Sequence, residues 1–543
     1  MKRNSFVLLF LFIVQSVFSY SLCTVDSLGT SENEELYKKG VVAFNLKDYR
    51  KAVGFWRKAA KGGDANAQCN LGSCYFQGLG TVKDQEIAFD WFKKAAKQGN
   101  AVAQCNLGNC YFYGQGVDQD FDKAVDWFIE SANQGNNAAL TQLGICYKNG
   151  IGIDVNYREA ILCFGDAATA GYAKAQNELG DCFYMGVGVE KNLEEAFYWY
   201  GLAAAQGYAI AQRSLAICYE NGEGVEVNKE RASEFYRKAA EQGDADAQYY
   251  LGECYYSGIG VAEDHKIAAD WFEKAADQGH VEAQYQLGVC YYKGDGVYRN
   301  FKKAASLYRD AAAQGDLDAM CLLADCYYYG EGVIADVEKA VELYSEAAKQ
   351  GHAESMYALG ECYYNGYGVE QSAYDAMFHY SEAAKLGHAG AQNTMGCYYL
   401  YGICVEVDSC EAFGCFKEAA EQGLPEALLN LGNCYYSAIC VELDYLTAAR
   451  YFIRAAEKGN ILAQHNLGVM YSKGQGVDRS DEESVKWYKK AAEAGFAMSQ
   501  YDLGSCYYYG IGVAEDKKEG LKWWRLAAEQ EYEPAVKALE DAD

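Results

Sequence analysis

Twenty-one cysteines, six histidines and a run of alternating aspartates are the residues of this 543-residue chain that could do chemistry. Eleven of the cysteines fall two residues after a recurring Gly or Ala, from Cys74 and Cys110 through Cys362 to Cys434 and Cys506, while Tyr398 and Met470 fill the same place in two further copies. A position shared by Cys, Met and Tyr wants modest apolar bulk, and free Cys behaves as a small hydrophobe. Two cysteines outside that column form candidate pairs with members of it. Cys163 with Cys182 and Cys415 with Cys434 are each 19 residues apart, joining a mid-helix position to the next helix, so two disulfides are expected if those faces touch. Cys404 and Cys440 replace turn glycines one repeat step apart, a separation that should hold their backbones beyond the roughly 7 Å limit for bridging. No CxxC occurs and no cysteine cluster is joined by His at ligand spacing, so neither zinc nor any other cofactor is expected.

His280, His352 and His388 share one column just before a helix, where the expected role is a turn or cap. Asp118, Asp120 and Asp122 imitate the start of a calcium loop, but Lys123 stands where that loop needs Gly, and the segment reads instead as an acidic helix start. No Ser, Cys or His recurs beside a base and an orienting acid, so the chain is not expected to be an enzyme.

The elements that carry these residues follow from one repeated stretch. NLGSCYFQGLGTV at Asn70–Val82 returns as NLGNCYFYGQGV at Asn106–Val117 and as DLGSCYYYGIGV at Asp502–Val513. Its marker Gly or Ala falls at thirteen positions from Gly72 to Gly504 at a constant step of 36 residues, without insertion or deletion. Such a period is the signature of a stacked repeat. In each copy a helix A carries Ala67, Leu71 and Tyr75 at i, i+4, i+8, one face of a helix, and closes on Gly78 and Gly80. A helix B follows, with an aromatic residue in every copy at the position of Phe92. The expected fold is all-α, an α/α solenoid of antiparallel helix pairs. Its organisation reads as a signal peptide over 1–19, a flexible leader over 20–33, an N-terminal capping hairpin over 34–64, thirteen repeats over 65–531 and a C-terminal capping helix over 532–543.

The N-terminal reading rests on Lys2 and Arg3, an apolar run from Phe6 to Val17 too short to span a bilayer, and small residues before a cleavage point after Ser19. Leu22 stands where lipid attachment at Cys23 would want a small residue. Secretion, or residence in the periplasm or secretory pathway, is the expected outcome. No later segment is apolar enough for a membrane span, and a net charge of -28 opposes binding to nucleic acid.

The motif A-x-A-Q-x-x-L-G-x-x-Y-x-x-G-x-G-V followed by A-x-x-W-[FY]-x-K-A-A-x-Q-G, complete at Ala245–Val261 and Ala268–Gly279, resembles the Sel-1-like repeat family, a relative of the tetratricopeptide repeats. The resemblance covers residues 34–541 and implies a helical superhelix acting as an adaptor or scaffold for proteins. It also implies one alternative, hydrolase activity, since some cysteine-rich exported relatives are hydrolases; a second alternative, carbohydrate binding, follows from an aromatic groove, which can hold sugars by stacking. Those relatives bridge the helices of a hairpin through a second Cys late in helix B, a place that is Ala here, as at Ala95 and Ala96.

If the regular columns build the scaffold, recognition belongs to the variable side of helix A. The positions three before, one after and four after the marker face away from the Ala67–Leu71–Tyr75 side. They hold Tyr249, Glu253 and Tyr256, then Tyr285 and Tyr292, then Asp325 and Tyr328, then Tyr357, Glu361 and Tyr364, with Tyr501 and Tyr508 repeating the pattern near the end. A tyrosine-rich acidic groove for a protein or peptide partner of basic character, on a monomeric scaffold, is the expected site.

Overall fold

The computed structural model describes residues 32–542; the expected signal peptide and most of the leader lie outside them. Among the described residues there are 29 helices and no strand. The first pair, α1 (Glu32–Asn45) and α2 (Tyr49–Lys61), forms an N-terminal hairpin, and the last helix, Glu533–Ala542, follows the final repeat. Between them every repeat supplies one helix A and one helix B, as in Ala65–Gln77 and Gln85–Lys97. The chain divides into two compact units between Gln278 and Gly279. Within each, a helix packs on the ones before and after it in sequence.

The marker column explains why the pairs pack closely. A Cβ added at Gly72 would lie 2.8 Å from the ring of Phe92, and one at Gly108 would lie 2.6 Å from that of Phe128. Helix A therefore sits on the buried helix-B aromatic through a residue with little or no side chain. At Ala216 and Ala324 the same place tolerates a methyl group, fully buried.

A second device ties successive repeats together. The Gln of the A-x-A-Q motif is buried; Gln68 donates to the Ala60 carbonyl at 3.0 Å and accepts from Gln98 at 2.7 Å. The same pair recurs at Gln248, which donates to Ala240 O at 3.1 Å and accepts from Gln278 at 2.8 Å. Buried amides must be hydrogen-bonded, so this column links helix A to the end of the helix B before it and the one after it.

The two turn glycines have different jobs. Gly78 caps helix A in the left-handed region at φ 78°, its N–H bonded to Cys74 O at 2.8 Å. Gly80, at φ 71°, lies against the first turn of the preceding helix B, where a Cβ would come within 2.3 Å of Tyr49 O. Cys404 at φ 58° and Cys440 at φ 59° occupy that second position in their repeats, so each puts a side chain where the chains approach most closely.

Candidate functional site

The cysteine expectations need correction. Cys163, Cys182, Cys415 and Cys434 are all free thiols, so neither 19-residue pair is bridged. Cys163 and Cys182 are buried in helix packing, and burial pushes both thiols up to about 11. The disulfide among the described residues is Cys410–Cys440, with Cα atoms 5.1 Å apart and a sequence separation of 30. Its origin is the close approach just described: the second turn position leans on the first turn of the preceding helix B, here Ser409–Glu421, where Cys410 sits. Cys404 remains free.

His280, His352 and His388 are N-caps of helix A, their Nδ1 atoms accepting from the backbone N–H of Ala283, Ser355 and Ala391 at 3.2, 3.3 and 3.0 Å. With Nδ1 used as acceptor, Nε2 carries the proton, and it reaches a carboxylate one repeat earlier: Asp318 for His352 at 3.1 Å and Glu354 for His388 at 2.9 Å. Asp120 is likewise a cap, accepting from the N–H of Lys123 at 3.0 Å and pairing with its Nζ at 2.6 Å.

The expected tyrosine face is half-buried. Of its residues, Tyr364 is exposed at 47% and the others are partly covered by neighbouring helices. In the first unit Tyr249 and Tyr256 lie 5.9 and 6.4 Å from the Phe272 ring, with Glu253 between them along helix Ala245–Ser257. In the second unit Tyr285 lies 6.4 Å from Tyr308, Tyr357 5.6 Å from Tyr380, Tyr328 5.8 Å from Tyr367 and Tyr508 4.6 Å from Trp524, while Tyr501 is 6.3 Å from that same Trp524. Tyr292 donates to Glu331 at 2.5 Å. Helix A therefore has no free side of tyrosines. Apart from Tyr364, these rings spend part of their surface on a helix-B aromatic or a neighbouring turn and show the remainder to solvent.

The carboxylates one residue after the marker are organised more sharply than periodicity indicates. Asp181 accepts from the buried hydroxyl of Tyr200 at 2.6 Å and Glu361 from that of Tyr380 at 2.6 Å; Asp325 accepts from Tyr344 in the same way. Burial, reinforced by Glu178, lifts Asp181 to about 6 despite the Tyr200 bond. Glu253 occupies the same register, but its helix-B aromatic is Phe272, which has no hydroxyl. Its Oε1 is buried and has no hydrogen-bond partner, and burial raises its pKa.

Sequence reasoning missed a set of cations on this side of helix A. Lys148, Lys174 and Arg213 occupy repeats three to five, and each has a polar partner. Lys148 pairs with Glu178 at 2.6 Å, Lys174 bonds Gln142 Oε1 at 2.9 Å, and Arg213 pairs with Asp244 at 3.1 Å and with Asp246. Their positions, marker plus four, minus six and minus three, were visible in the alignment of the repeats, but their pairing was not. Among the described residues no three Cys, His, Asp or Glu side chains converge as metal ligands, and no helix is long and apolar enough to cross a membrane.

A chain of tandem helix pairs whose regular columns are all committed to packing belongs to the class of helical repeat scaffolds, in which the variable positions do the recognising. A model of the Sel1 repeat matches fourteen consecutive windows from residues 35–64 to 497–532, counting the N-terminal hairpin as the first, and the chain belongs to the Sel1 repeat family. It is similar to c5321, a protective antigen present in uropathogenic Escherichia coli strains displaying an SLR fold, at 34% identity over 82% of this chain and 97% of that one, with a TM-score of 0.65. It is also similar to a Sel1 repeat protein from Oxalobacter formigenes, at 32% identity over 45% of this chain and 97% of that one, with a TM-score of 0.42. No curated protein matches the chain in sequence. Proteins of this family typically mediate protein–protein interaction and are generally non-catalytic scaffolds.

Proposed function

We propose that the chain is an exported, monomeric scaffold that binds a polypeptide partner of basic character through the tyrosine-rich, acidic side of helix A, at Tyr249–Glu253–Tyr256 in the first unit and over repeats seven to nine in the second. The observation that carries this reading is the pairing of half-buried tyrosines with carboxylates at one register of helix A. A tyrosine held on one side by packing loses little freedom when a partner covers the other, and it keeps a hydroxyl for hydrogen bonding. The net charge of -28 adds a long-range attraction for basic partners. Export is supported by the Cys410–Cys440 disulfide, because disulfides persist in oxidising compartments.

Replacing Tyr256, Tyr292 and Tyr364 together by Ala, with folding checked by circular dichroism, should abolish recovery of the partner by affinity capture from the native compartment. Unchanged recovery overturns the assignment. Sequencing the N-terminus of the native protein tests export: cleavage after Ser19 is expected, and a chain still beginning at Met1 refutes it.

A further inference from the structure

We infer that Glu253, lying between Tyr249 and Tyr256 above the Phe272 ring, is a receptor for a single basic side chain, lysine or arginine, of a bound polypeptide. This inference rests on the scaffold reading above and gives it a specific contact.

The argument begins with a comparison inside the molecule. Four repeats place an acid one residue after the marker: Asp181, Glu253, Asp325 and Glu361. In three of them the helix-B aromatic of the same repeat is a tyrosine, Tyr200, Tyr344 or Tyr380, whose hydroxyl donates to the acid. Those three carboxylates are internally satisfied. Glu253 faces Phe272 instead, its Oε1 is buried without a hydrogen-bond partner, and no cation among the described residues offsets its burial. Leaving a buried carboxylate oxygen unpaired is destabilising, more so than for a neutral group. The scaffold can remove that cost by one atom, as it does three times elsewhere, and here it does not.

The surroundings specify what would satisfy it. Tyr249 and Tyr256 precede and follow Glu253 by about one helical turn, and both rings lie against Phe272, at 5.9 and 6.4 Å. Glu253 as a whole is only partly covered, although its Oε1 is buried. The Tyr256 ring is stacked on His265 at 4.6 Å, so the charge of the acid itself, beside the two tyrosines, is what favours a cation over a neutral donor. A basic side chain also complements the charge of -28.

The test uses the full mature chain and a fluorescein-labelled octapeptide of alternating Ala and Lys, with the Ala–Glu octapeptide as control, read by anisotropy at 150 mM salt. Glu253→Gln should weaken binding of the lysine peptide by about tenfold. Glu273→Gln, which removes the same charge from an exposed site on helix B, should change it less than about twofold. Phe272→Tyr should act like Glu253→Gln, because its hydroxyl would claim the carboxylate as in the other three repeats. Both active variants should also melt at a higher temperature than the native protein, whereas loss of a merely structural carboxylate would lower it. Equal effects of Glu253→Gln and Glu273→Gln, a lowered melting temperature for Glu253→Gln, or no binding of the lysine peptide to the native chain each overturns the inference. If the triple tyrosine variant loses its partner while Glu253→Gln keeps native affinity for the peptide, the scaffold reading stands and this contact falls. The reverse result retains the contact and removes the scaffold reading.

Discussion

Breaking the Cys410–Cys440 bridge should loosen one stretch of the array while leaving distant repeats intact. The bridge closes a loop of 30 residues in sequence, running from the start of helix Ser409–Glu421, through helix Pro425–Ser437, to the following turn. In the chain-entropy account, a loop of that length restricts the unfolded chain by about 3.5–4 kcal/mol at 25 °C. Against this stands the backbone of Cys440, a non-glycine residue at φ 59°, a conformation that costs about 1 kcal/mol. Cys410→Ser with Cys440→Ser should therefore lose about 3–4 kcal/mol locally, and Cys410→Ser with Cys440→Gly about 1 kcal/mol less, because glycine restores the ordinary turn. Repeats interact chiefly with their neighbours, so hydrogen exchange is the right assay. Amides in 409–437 should exchange about 10²–10³ times faster in the double-serine variant, the lost free energy expressed as a rate ratio, while helix Ala65–Gln77 is unchanged. Equal protection in oxidised native protein and double-serine variant would refute the clamp. A glycine variant no better protected than the serine one would refute the strain.

Gln248→Leu removes one buried and one partly buried hydrogen bond and leaves the Gln278 amide and the Ala240 carbonyl without that partner, and should cost about 2 kcal/mol in urea unfolding. Gly116→Ala places a Cβ 2.1 Å from Gln85 O, whereas Gly135→Ala meets nothing within 4 Å at a similar positive φ; thermal melts should show the first costing more than about 3 kcal/mol and the second about 1. Asp181, raised to about 6 chiefly by burial, keeps a proton in the folded chain that the unfolded chain has released. Stability should therefore fall by up to about 3 kcal/mol as pH climbs from about 4 to about 6 and then level off, and Asp181→Asn should flatten that slope in denaturant titrations across the range.

The period, the helix pairs and the separate small and aromatic columns were legible because each depends on spacing within one chain segment; the contact between those two columns was not. Gly72 and Phe92 recur together, and helical periodicity assigns both to the same interior. The bridge was hidden for the opposite reason. Cys410 and Cys440 belong to different columns, 30 residues apart rather than 36, and only the lean of a turn on the preceding helix makes them neighbours. Periodicity gives the faces of a helix, not how the next helix covers them, which is also why the tyrosine side proved half-buried.

The same distinction governs the acidic column. Read along helix A, Asp181, Glu253, Asp325 and Glu361 are interchangeable carboxylates at one register. Read across to helix B, three are held by a tyrosine hydroxyl and one is not, although Phe and Tyr are equivalent as core residues. The hydroxyl changes packing little and electrostatics a great deal: with it the acid is part of the scaffold, and without it the acid has a buried oxygen with no partner. In a repeat array, where every unit starts from the same design, a functional position is therefore best sought where a packing column and a polar column fall out of step, and here that occurs at Glu253 and Phe272.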